Sequence, residues 1–257
     1  MKIRLDVEMA RRSLTSSRQR AQELVTSGKV SVNSVIRTKS SYPVDEADRI
    51  EIIGEQLKFV GRGGLKLEHA INTFQIDVKD KLCLDIGAST GGFTDCLLQN
   101  GAKKVCAVDV GHGQLHPSLS NREEVVSLEG MNVRDLQLED IGFVPDFVCC
   151  DVSFISLTVI IEKLTALVSE NCECVLLIKP QFEAGRQNIG KNGIVKDKKA
   201  HIAVISKILD FCRSNGIKAI DVCKSCITGG DGNVEYLLYA KKENGEHNII
   251  DIKAVVG

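Results

Sequence analysis

Four charged residues, far apart along the chain, have the side chains needed to move a proton during a group transfer. They are Lys66, Asp151, Lys179 and Glu235. An amine or a carboxylate can take a proton from a hydroxyl, and charged neighbours tune how readily it does so. Between Lys66 and Asp151 lies Asp85-Ile-Gly-Ala-Ser-Thr-Gly-Gly92, a strand pattern that runs into a glycine turn. Because glycine lets a backbone approach a ligand closely, the combination predicts a cofactor site and group transfer onto a hydroxyl.

The elements that must position these residues alternate between strand and helix from residue 81 onwards. This alternation predicts an α/β domain with a Rossmann-like, mostly parallel sheet covered on both faces. Asp151 and Lys179 each end a predicted strand, and the carboxyl ends of parallel strands face the ligand cleft. Glu235 lies at the start of the last predicted strand, where alternation points it into the cleft. The predicted strands cover 82–86, 105–109, 125–128, 147–151, 174–179, 218–224 and 234–241, and the predicted helices cover 91–99, 156–168 and 198–215.

The type of cofactor follows from Asp109 and from the composition of the glycine turn. Asp109 ends the second predicted strand, 22 residues after Gly87, and a carboxylate there binds ribose hydroxyls in many nucleotide folds. The dinucleotide fingerprint G-x-G-x-x-G needs a glycine at its third position, but Ser89 occupies that position. The turn therefore favours S-adenosylmethionine, which has no pyrophosphate, and a dehydrogenase stays open as the alternative. Asp85 would then hold the methionine ammonium or order the loop.

The start of the chain predicts a separate small α+β module with a basic surface. Residues 1–39 contain nine lysines and arginines against three acidic residues, although the whole chain has a net charge of −1. Clustered guanidinium groups suit phosphate contacts, so the module indicates nucleic-acid binding, with an ordinary solvated face as the alternative. Ser16 with Gln19 fits a capping box for its second helix. The predicted helices cover 5–12 and 18–25, and the predicted strands cover 29–32, 35–36 and 48–53.

Composition disfavours several classes of protein. No segment reaches the roughly 20 apolar residues that a membrane span needs, and residues 1–8 have no apolar run typical of a signal peptide. We therefore expect a cytoplasmic protein, a monomer, without membrane contact. Ten cysteines lie mostly in apolar segments and are expected to be buried free thiols. Only Cys223 and Cys226 have C-x-x-C spacing, without a second pair at zinc-finger distance, so no metal site is predicted; a metal or redox role stays the alternative.

Two sets of motifs resemble known families. Residues 17–33, with the pattern SR-x-x-A-x-x-L-x-x-x-G-x-V-x-V-N, are similar to the S4-type RNA-binding domain. The four charged residues resemble the K-D-K-E tetrad of FtsJ-like RNA 2′-O-methyltransferases. From residue 3 to residue 242 the chain resembles the TlyA (haemolysin A) family of ribosomal RNA 2′-O-methyltransferases. The motifs that support this resemblance are Arg62-Gly-Gly-Leu-Lys66, Asp85-Ile-Gly-Ala-Ser-Thr-Gly-Gly-Phe-Thr94, Asp109-Val-Gly-His-Gly-Gln-Leu115, Asp151-Val-Ser-Phe-Ile-Ser-Leu157, Lys179-Pro-Gln-Phe-Glu183 and Gly232-Asn-Val-Glu-Tyr236.

The resemblance implies a function, a domain organisation and a set of site residues. It implies that S-adenosylmethionine methylates the 2′-hydroxyl of a cytidine ribose in ribosomal RNA, with the large subunit favoured and the small subunit open. It implies an S4-type domain over 1–56, a linker over 57–61 and a methyltransferase domain over 62–245. The tetrad would be catalytic, with Lys179 either the general base or a cation that favours the alkoxide. The cofactor would be bound by Asp85, Gly87, Ala88, Ser89, Thr90, Gly91, Gly92, Phe93, Asp109, Asn132 and Asp151. RNA would be bound by Arg4, Arg11, Arg12, Arg18, Arg20, Lys29 and Arg62.

Some features and alternatives stay outside this resemblance. Asn132 stands where related enzymes have an acidic residue that reads the adenine amino group. The glycine-rich segment 185–193 predicts a mobile lid that contacts RNA. A membrane-active haemolysin, an inactive RNA-binding factor of ribosome assembly, and a methyltransferase for proteins or small molecules are the alternative functions.

Overall fold

The computed structural model describes residues 2–15, 17–53, 58–190, 192–243 and 248–257. The chain divides into two units, Met1–Leu57 and Lys58–Gly257. The predicted domain boundaries at residues 56, 57 and 245 lie outside the described residues.

The first unit is a small α+β structure, as predicted. Its elements are β1 (Ile3–Arg4), α1 (Leu5–Arg11), α2 (Arg18–Thr26), β2 (Val30–Val32), β3 (Val35–Ile36), β4 (Pro43–Val44) and β5 (Ile50–Ile52). β1 pairs with β4, and β2 lies between β3 and β5, all antiparallel. Leu5 of α1 and Val25 of α2 are buried in a common apolar core. The Ser17 hydroxyl accepts a hydrogen bond from Arg20 N at 3.1 Å and caps α2, one residue after the predicted Ser16, which lies outside the described residues.

The second unit is built on a seven-stranded sheet. Its strands are β6 (Leu82–Ile86), β7 (Lys104–Asp109), β8 (Val125–Glu129), β9 (Phe147–Cys150), β10 (Glu173–Ile178), β11 (Ile217–Lys224) and β12 (Tyr236–Lys242). Their order across the sheet is β11-β12-β10-β9-β6-β7-β8. β6 to β10 run parallel, and β12 is antiparallel to both of its neighbours. This arrangement confirms the predicted Rossmann-like, mostly parallel α/β sheet.

Helices cover both faces of this sheet. They are α3 (Gly63–Phe74), α4 (Gly92–Gln99), α5 (Pro117–Ser120), α6 (Leu138–Ile141), α7 (Leu157–Leu167), α8 (Pro180–Glu183), α9 (Lys198–Ser214) and α10 (Ile252–Val256), with a 3₁₀ turn at Arg186–Asn188. Because strand side chains alternate between faces, Leu176 and Ile178 pack with α7 and α9 in one core. Val175 and Leu177 pack with α3 and α4 in the other.

The structure corrects two details of the predicted elements near the site. Helix α3, which contains Lys66, has no counterpart among the predicted helices. Its first two residues are Gly63 and Gly64, and glycine is an unfavourable helix residue. Glu235 lies just before β12, which begins at Tyr236, so strand alternation does not orient it. Its carbonyl accepts a hydrogen bond from Ser225 N at 2.9 Å as the chain turns into the strand.

The burial of the cysteines and the apolarity of the helices bear on two expectations from composition. Eight of the ten cysteines are buried free thiols, Cys223 is half-buried and Cys226 is exposed, which confirms the prediction for the apolar segments. Across the ranges that the structure describes, no helix combines the length and apolarity needed to cross a bilayer.

Candidate active site

The four tetrad residues reach one edge of the large sheet from four different elements. Lys66 lies on α3, Asp151 follows β9, Lys179 follows β10, and Glu235 precedes β12. The carboxyl ends of β9 and β10 and the amino end of the antiparallel β12 lie at the same edge. The sheet topology therefore brings together residues that are far apart in sequence.

The tetrad forms an alternating row of positive and negative groups. Lys179 Nζ lies 2.6 Å from Asp151 Oδ1, and Lys66 Nζ lies 3.1 Å from Asp151 Oδ2. Lys66 Nζ also lies 2.8 Å from Glu235 Oε2. Relative exposure is 7% for Lys66, 8% for Lys179 and 2% for Glu235. Charges this buried persist only when paired, so the tetrad is one electrostatic unit; its catalytic role stays a prediction.

The two lysines have different surroundings. Burial lowers the pKa of Lys66, but the carboxylates of Asp151 and Glu235 outweigh burial and hold that pKa above its usual value. Lys66 is therefore a permanent cation near neutral pH. Among the described residues, Lys179 pairs with one carboxylate, that of Asp151, and its Nζ donates a hydrogen bond to Ser153 Oγ at 3.0 Å. Lys179 also lines a recess beside the glycine turn.

The glycine turn, residues 87–92, needs glycine where its backbone meets neighbouring groups. Gly87 has φ of +83°, and a Cβ there would lie 2.5 Å from the carbonyl oxygen of Asp151. Gly91 has φ of +92°, and a Cβ there would lie 2.4 Å from Leu119 Cδ1. The positive φ and the close contacts both make any other side chain costly at these two positions. The turn thus lies directly against Asp151.

Asp109 organises the mouth of the cleft. Its Oδ2 accepts a hydrogen bond from Ser89 N at 2.8 Å, and its Oδ1 accepts one from Gly111 N at 2.7 Å. Each carboxylate oxygen has further acceptor capacity, so both can still receive ribose hydroxyls. This is the arrangement expected of a ribose-binding carboxylate at the end of the second strand of a nucleotide fold.

Two adjoining cavities lie at this edge. A cleft of about 580 Å³ is lined by residues that include Gly87, Ser89, Asp109, Asn132 and Asp151. A recess of about 260 Å³ shares Gly87, Ser89 and Asp151 with it and adds the predicted residues Ala88, Thr90, Gly92 and Phe93, together with Lys179. The cleft has the size of a typical cofactor site. Most of the predicted cofactor residues therefore line these two cavities beside the tetrad.

Asp85 lies beneath the turn, on β6. It is fully buried, and its Oδ2 accepts a hydrogen bond from Thr94 Oγ1 at 2.7 Å. Burial raises the pKa of Asp85 to about 7. Of its two predicted roles, this contact with Thr94 on α4 favours ordering of the loop over holding an ammonium group.

The residues before α3 contact the helix that follows the turn. Val60 N donates a hydrogen bond to Asp95 Oδ2 at 2.8 Å. A Cβ on Gly92 would lie 2.9 Å from Gly64 N and 3.1 Å from Gly61 O. The predicted linker residues 58–61 thus pack against the glycine turn, and Arg62, one of the predicted RNA-binding residues, is exposed at the start of α3.

Ser153 and Phe154 also lie at the site, although neither is among the predicted site residues. Phe154 has a φ of +64°, and its side chain is 91% exposed at the rim of the cleft. Its ring centroid lies 5.0 Å from that of Phe182. A non-glycine residue in the left-handed region is often held there for function. The motif 151–157 contains both residues, but residue type alone does not show that an aromatic ring faces solvent.

Two buried carboxylates order the basic side chains of the first unit. Asp6 pairs with Arg4 at 2.9 Å and with Arg18 at 3.0 Å. Glu8 pairs with Arg11 at 2.8 Å and with Arg12 at 2.7 Å, and these hydrogen bonds lower the pKa of Glu8 to about 2. The pairs fix the guanidinium groups but also offset part of their charge.

The remaining predicted RNA-binding residues of this unit differ in availability. Arg12 also donates hydrogen bonds to the carbonyl oxygens of Asp45 and Asp48 at 2.9 and 2.8 Å, which makes it mainly structural. Arg20 pairs with Glu23 at 3.0 Å, and Lys29 is exposed. RNA binding by this face stays a prediction.

In the part of the chain that the structure describes, no group of three His, Cys, Asp or Glu side chains is placed to hold a metal ion.

Comparison with known proteins identifies relatives of both units. The FtsJ-like methyltransferase family model matches residues 59–242, and the S4 domain model matches residues 3–50. Hemolysin A from Brachyspira hyodysenteriae is 44% identical over 242 residues, which cover 92% of this chain and 99% of that protein. The 16S/23S rRNA (cytidine-2′-O)-methyltransferase TlyA from Mycobacterium tuberculosis is 39% identical over 241 residues, covering 93% and 90%. A solved structure from Streptococcus thermophilus, described as a "putative hemolysin", superposes with a TM-score of 0.81 at 40% identity, covering 99% of this chain and 94% of that one.

Proposed function

This chain belongs to the FtsJ-like methyltransferase family, and we propose that it methylates the 2′-hydroxyl of a cytidine ribose in ribosomal RNA. The single observation that supports this best is the Lys66–Asp151–Lys179–Glu235 row beside the glycine turn, in which all but Asp151 are buried. The identity of 39% with a protein named a 16S/23S rRNA (cytidine-2′-O)-methyltransferase supports the same reaction and the same nucleotide.

We propose S-adenosylmethionine as the methyl donor because the residues present fit it. Gly87 and Ser89 would hold the methionine portion, Asp109 the ribose hydroxyls, and Asn132 the adenine edge. The Asp109 oxygens retain acceptor capacity, and the Gly87 backbone leaves no room for a side chain. When bound, the donor supplies an electrophilic methyl group for attack by the ribose oxygen.

The side chains of the tetrad would align and deprotonate the ribose hydroxyl. Lys179 Nζ, held by Asp151 and Ser153, is the group that would receive the hydroxyl proton or stabilise the alkoxide. Lys66 would fix the Asp151 carboxylate and stay charged, because its two carboxylate neighbours raise its pKa. Alignment of the reacting groups lowers the barrier substantially, and a placed base adds about 10²–10⁴-fold in rate.

The first unit, an S4 domain over residues 3–50, would bind ribosomal RNA. We propose a division into an RNA-binding domain over 1–56, a linker over 57–61 and a methyltransferase domain over 62–245. Exposed Arg4, Arg11, Arg18 and Lys29 would contact phosphates, which give affinity without sequence information. A ribosomal substrate implies a cytoplasmic location, and we favour the large subunit as the target.

The glycine-rich segment 185–193 would act as a lid over bound RNA. Arg186, Gln187 and Asn188 are exposed, and the segment begins beside a groove of about 310 Å³ that includes Phe154 and Phe182. Lys191 of this segment lies outside the described residues. Bound ribosomal RNA should protect Arg186 from trypsin, and equal cleavage with and without RNA would contradict the lid.

Mass mapping of methylated ribosomal RNA tests the proposed function directly. Unmethylated ribosomal subunits are incubated with the protein and isotopically labelled S-adenosylmethionine, and the label is expected on a cytidine 2′-oxygen. Lys179→Ala should reduce the label by at least about 10²-fold. Lys103→Ala, an exposed lysine before β7 at the opposite edge of the sheet, is the matched control and should label normally.

The outcomes of this mapping separate the alternatives. Full labelling by Lys179→Ala would overturn the assignment of the tetrad. RNA binding without any labelling would indicate an assembly factor, and labelling of protein instead of RNA would indicate another acceptor. Leakage of liposomes caused by the purified protein would be needed for a membrane-active haemolysin.

A further inference from the structure

A second buried polar network lies next to the tetrad and plays no part in the chemistry above. Asn233 is 0% exposed, and both ends of its amide are paired. Its Oδ1 accepts a hydrogen bond from Val195 N at 3.0 Å, and its Nδ2 donates one to Gly193 O at 3.0 Å. A buried amide is tolerated when it is paired in this way. Asn233 therefore ties the end of the glycine-rich segment to the chain that enters β12.

His201, buried on α9, holds the same segment from the other side. Its Nε2 lies 2.8 Å from Val195 O, and its Nδ1 lies 2.8 Å from the Tyr236 hydroxyl. Because a carbonyl oxygen can only accept, Nε2 carries the hydrogen, and Nδ1 of the neutral ring accepts from Tyr236. The backbone N–H and carbonyl of Val195 are thus both fixed.

One partner of Val195, Asn233, and the hydrogen-bond partner of His201, Tyr236, flank a tetrad residue. Asn233 lies two residues before Glu235, and Tyr236 lies immediately after it. The turn that leads into Asn233 is closed by a hydrogen bond from Gly229 N to Asn233 O at 2.9 Å. The position of Val195 therefore constrains the short stretch that presents the Glu235 carboxylate to Lys66.

We propose that Asn233, His201 and Tyr236 form a clamp of positioning residues that sets Glu235 against Lys66 according to the position of Gly193 and Val195, at the end of the glycine-rich segment. Exposed Arg186 lies within this segment and exposed Lys196 follows it, and both complement RNA phosphates. RNA docked on the segment thereby raises turnover through Glu235, and the affinity for the methyl donor is unaffected. The clamp rests on the RNA substrate proposed above.

Two tyrosines on β12 give a matched test of the clamp. Tyr236→Phe removes only the hydroxyl that donates a hydrogen bond to His201 Nδ1. Tyr239→Phe makes the same change further along the strand, where the hydroxyl contacts Glu173. We expect Tyr236→Phe to lower kcat on ribosomal RNA about tenfold, with the Kd for S-adenosylmethionine unchanged within about twofold. Tyr239→Phe should leave kcat within about twofold, and equal kcat values for the two variants would overturn the clamp.

A second variant and a second readout keep the test independent of folding and of RNA. Asn233→Ala should lower kcat by about 10²-fold, the cost typical of a misplaced reacting group. A loss that only matched the unfolded fraction in thermal unfolding would overturn a positioning role. In the absence of RNA, trypsin should cleave after Arg186 or Lys196 faster in Asn233→Ala and Tyr236→Phe than in the wild type.

This proteolysis distinguishes failure of the clamp from failure of the proposed function. If the wild type does not methylate RNA but the variants are cleaved faster, the proposed function is wrong and the anchoring of the segment stands. Unchanged cleavage in both variants would overturn the anchoring itself.

Discussion

Replacement of Glu235 by glutamine tests whether the buried charges of the tetrad stabilise one another. Glu235 Oε2 lies 2.8 Å from Lys66 Nζ, and both side chains are buried. Removing one partner of a buried ion pair typically costs about 3–5 kcal/mol, because the other charge is left without compensation. Lys66 keeps Asp151 at 3.1 Å. We therefore expect Glu235→Gln to lower the free energy of unfolding by about 3 kcal/mol, the lower end of that range.

The pH dependence of this loss has a definite sign. Burial lowers the pKa of Lys66, but Asp151 and Glu235 together raise it above its usual value. A cation with a raised folded pKa stabilises the fold fully below its unfolded pKa of about 10.4 and loses that contribution as pH rises through the folded value. Glu235→Gln removes one of the two raising charges. The alkaline loss of stability should therefore be smaller in the variant, and complete at a lower pH, than in the wild type.

Urea unfolding measures both effects, at about pH 7 and in a series from about pH 9 to about pH 11. The control is Glu170→Gln, which breaks a pair with Lys242 at 2.9 Å in which the glutamate side chain is 75% exposed. A surface pair of this kind contributes about 1 kcal/mol or less. If the free energy of unfolding of Glu235→Gln lies within about 1 kcal/mol of that control, the tetrad is not an electrostatic unit.

Three further predictions concern the cleft and its support. Gly87→Ala should abolish binding of S-adenosylmethionine in isothermal titration, because a Cβ would lie 2.5 Å from Asp151 O; unchanged affinity would contradict a close fit. Phe154→Ala should lower kcat/KM for RNA by about tenfold with unchanged donor affinity, because its ring is exposed at the rim of the cleft; an equal loss for both ligands would contradict this. Asp85→Asn should flatten the pH dependence of stability between about pH 4 and about pH 7. Burial raises the pKa of Asp85 to about 7, so the protonated carboxyl stabilises the fold fully below about pH 4, and this stabilisation is lost as pH rises through about 7. An equal change of stability with pH in the wild type and the variant would contradict this.

The sequence predicts the part of the site that follows from strand positions. Apolar strands that end in Asp109, Asp151 and Lys179 are recognisable because parallel strands are buried on both faces. Their carboxyl ends must lie at one edge of the sheet. The glycine turn is recognisable because glycine readily adopts the φ of +83° at Gly87, which other residues rarely adopt.

The rest depends on tertiary contacts that have no local signal. The N-terminal arginines are visible as a charge cluster, but their partners Asp6 and Glu8 are not identified by composition. The exposure of Phe154 follows from a backbone bend after β9, and aromatic residues are otherwise more often buried. The amide of Asn233 spans 38 residues to reach Val195, a distance over which sequence spacing specifies nothing.

The geometry of the tetrad assigns different tasks to its two lysines. Lys66 lies between two carboxylates, which favour its cationic form and make it a poor proton acceptor. Within the ranges that the structure covers, Lys179 pairs with one carboxylate and one hydroxyl, and it lines the recess that adjoins the cofactor cleft. Removal of the ammonium group at position 66 should therefore affect stability and alignment. Removal of the ammonium group at position 179 should affect the proton transfer itself. We expect Lys66→Met to keep a substantial kcat with a shifted pH–rate profile, and we expect Lys179→Met to be inactive. Equal inactivation of both variants with unchanged folding would show that the two ammonium groups act as one.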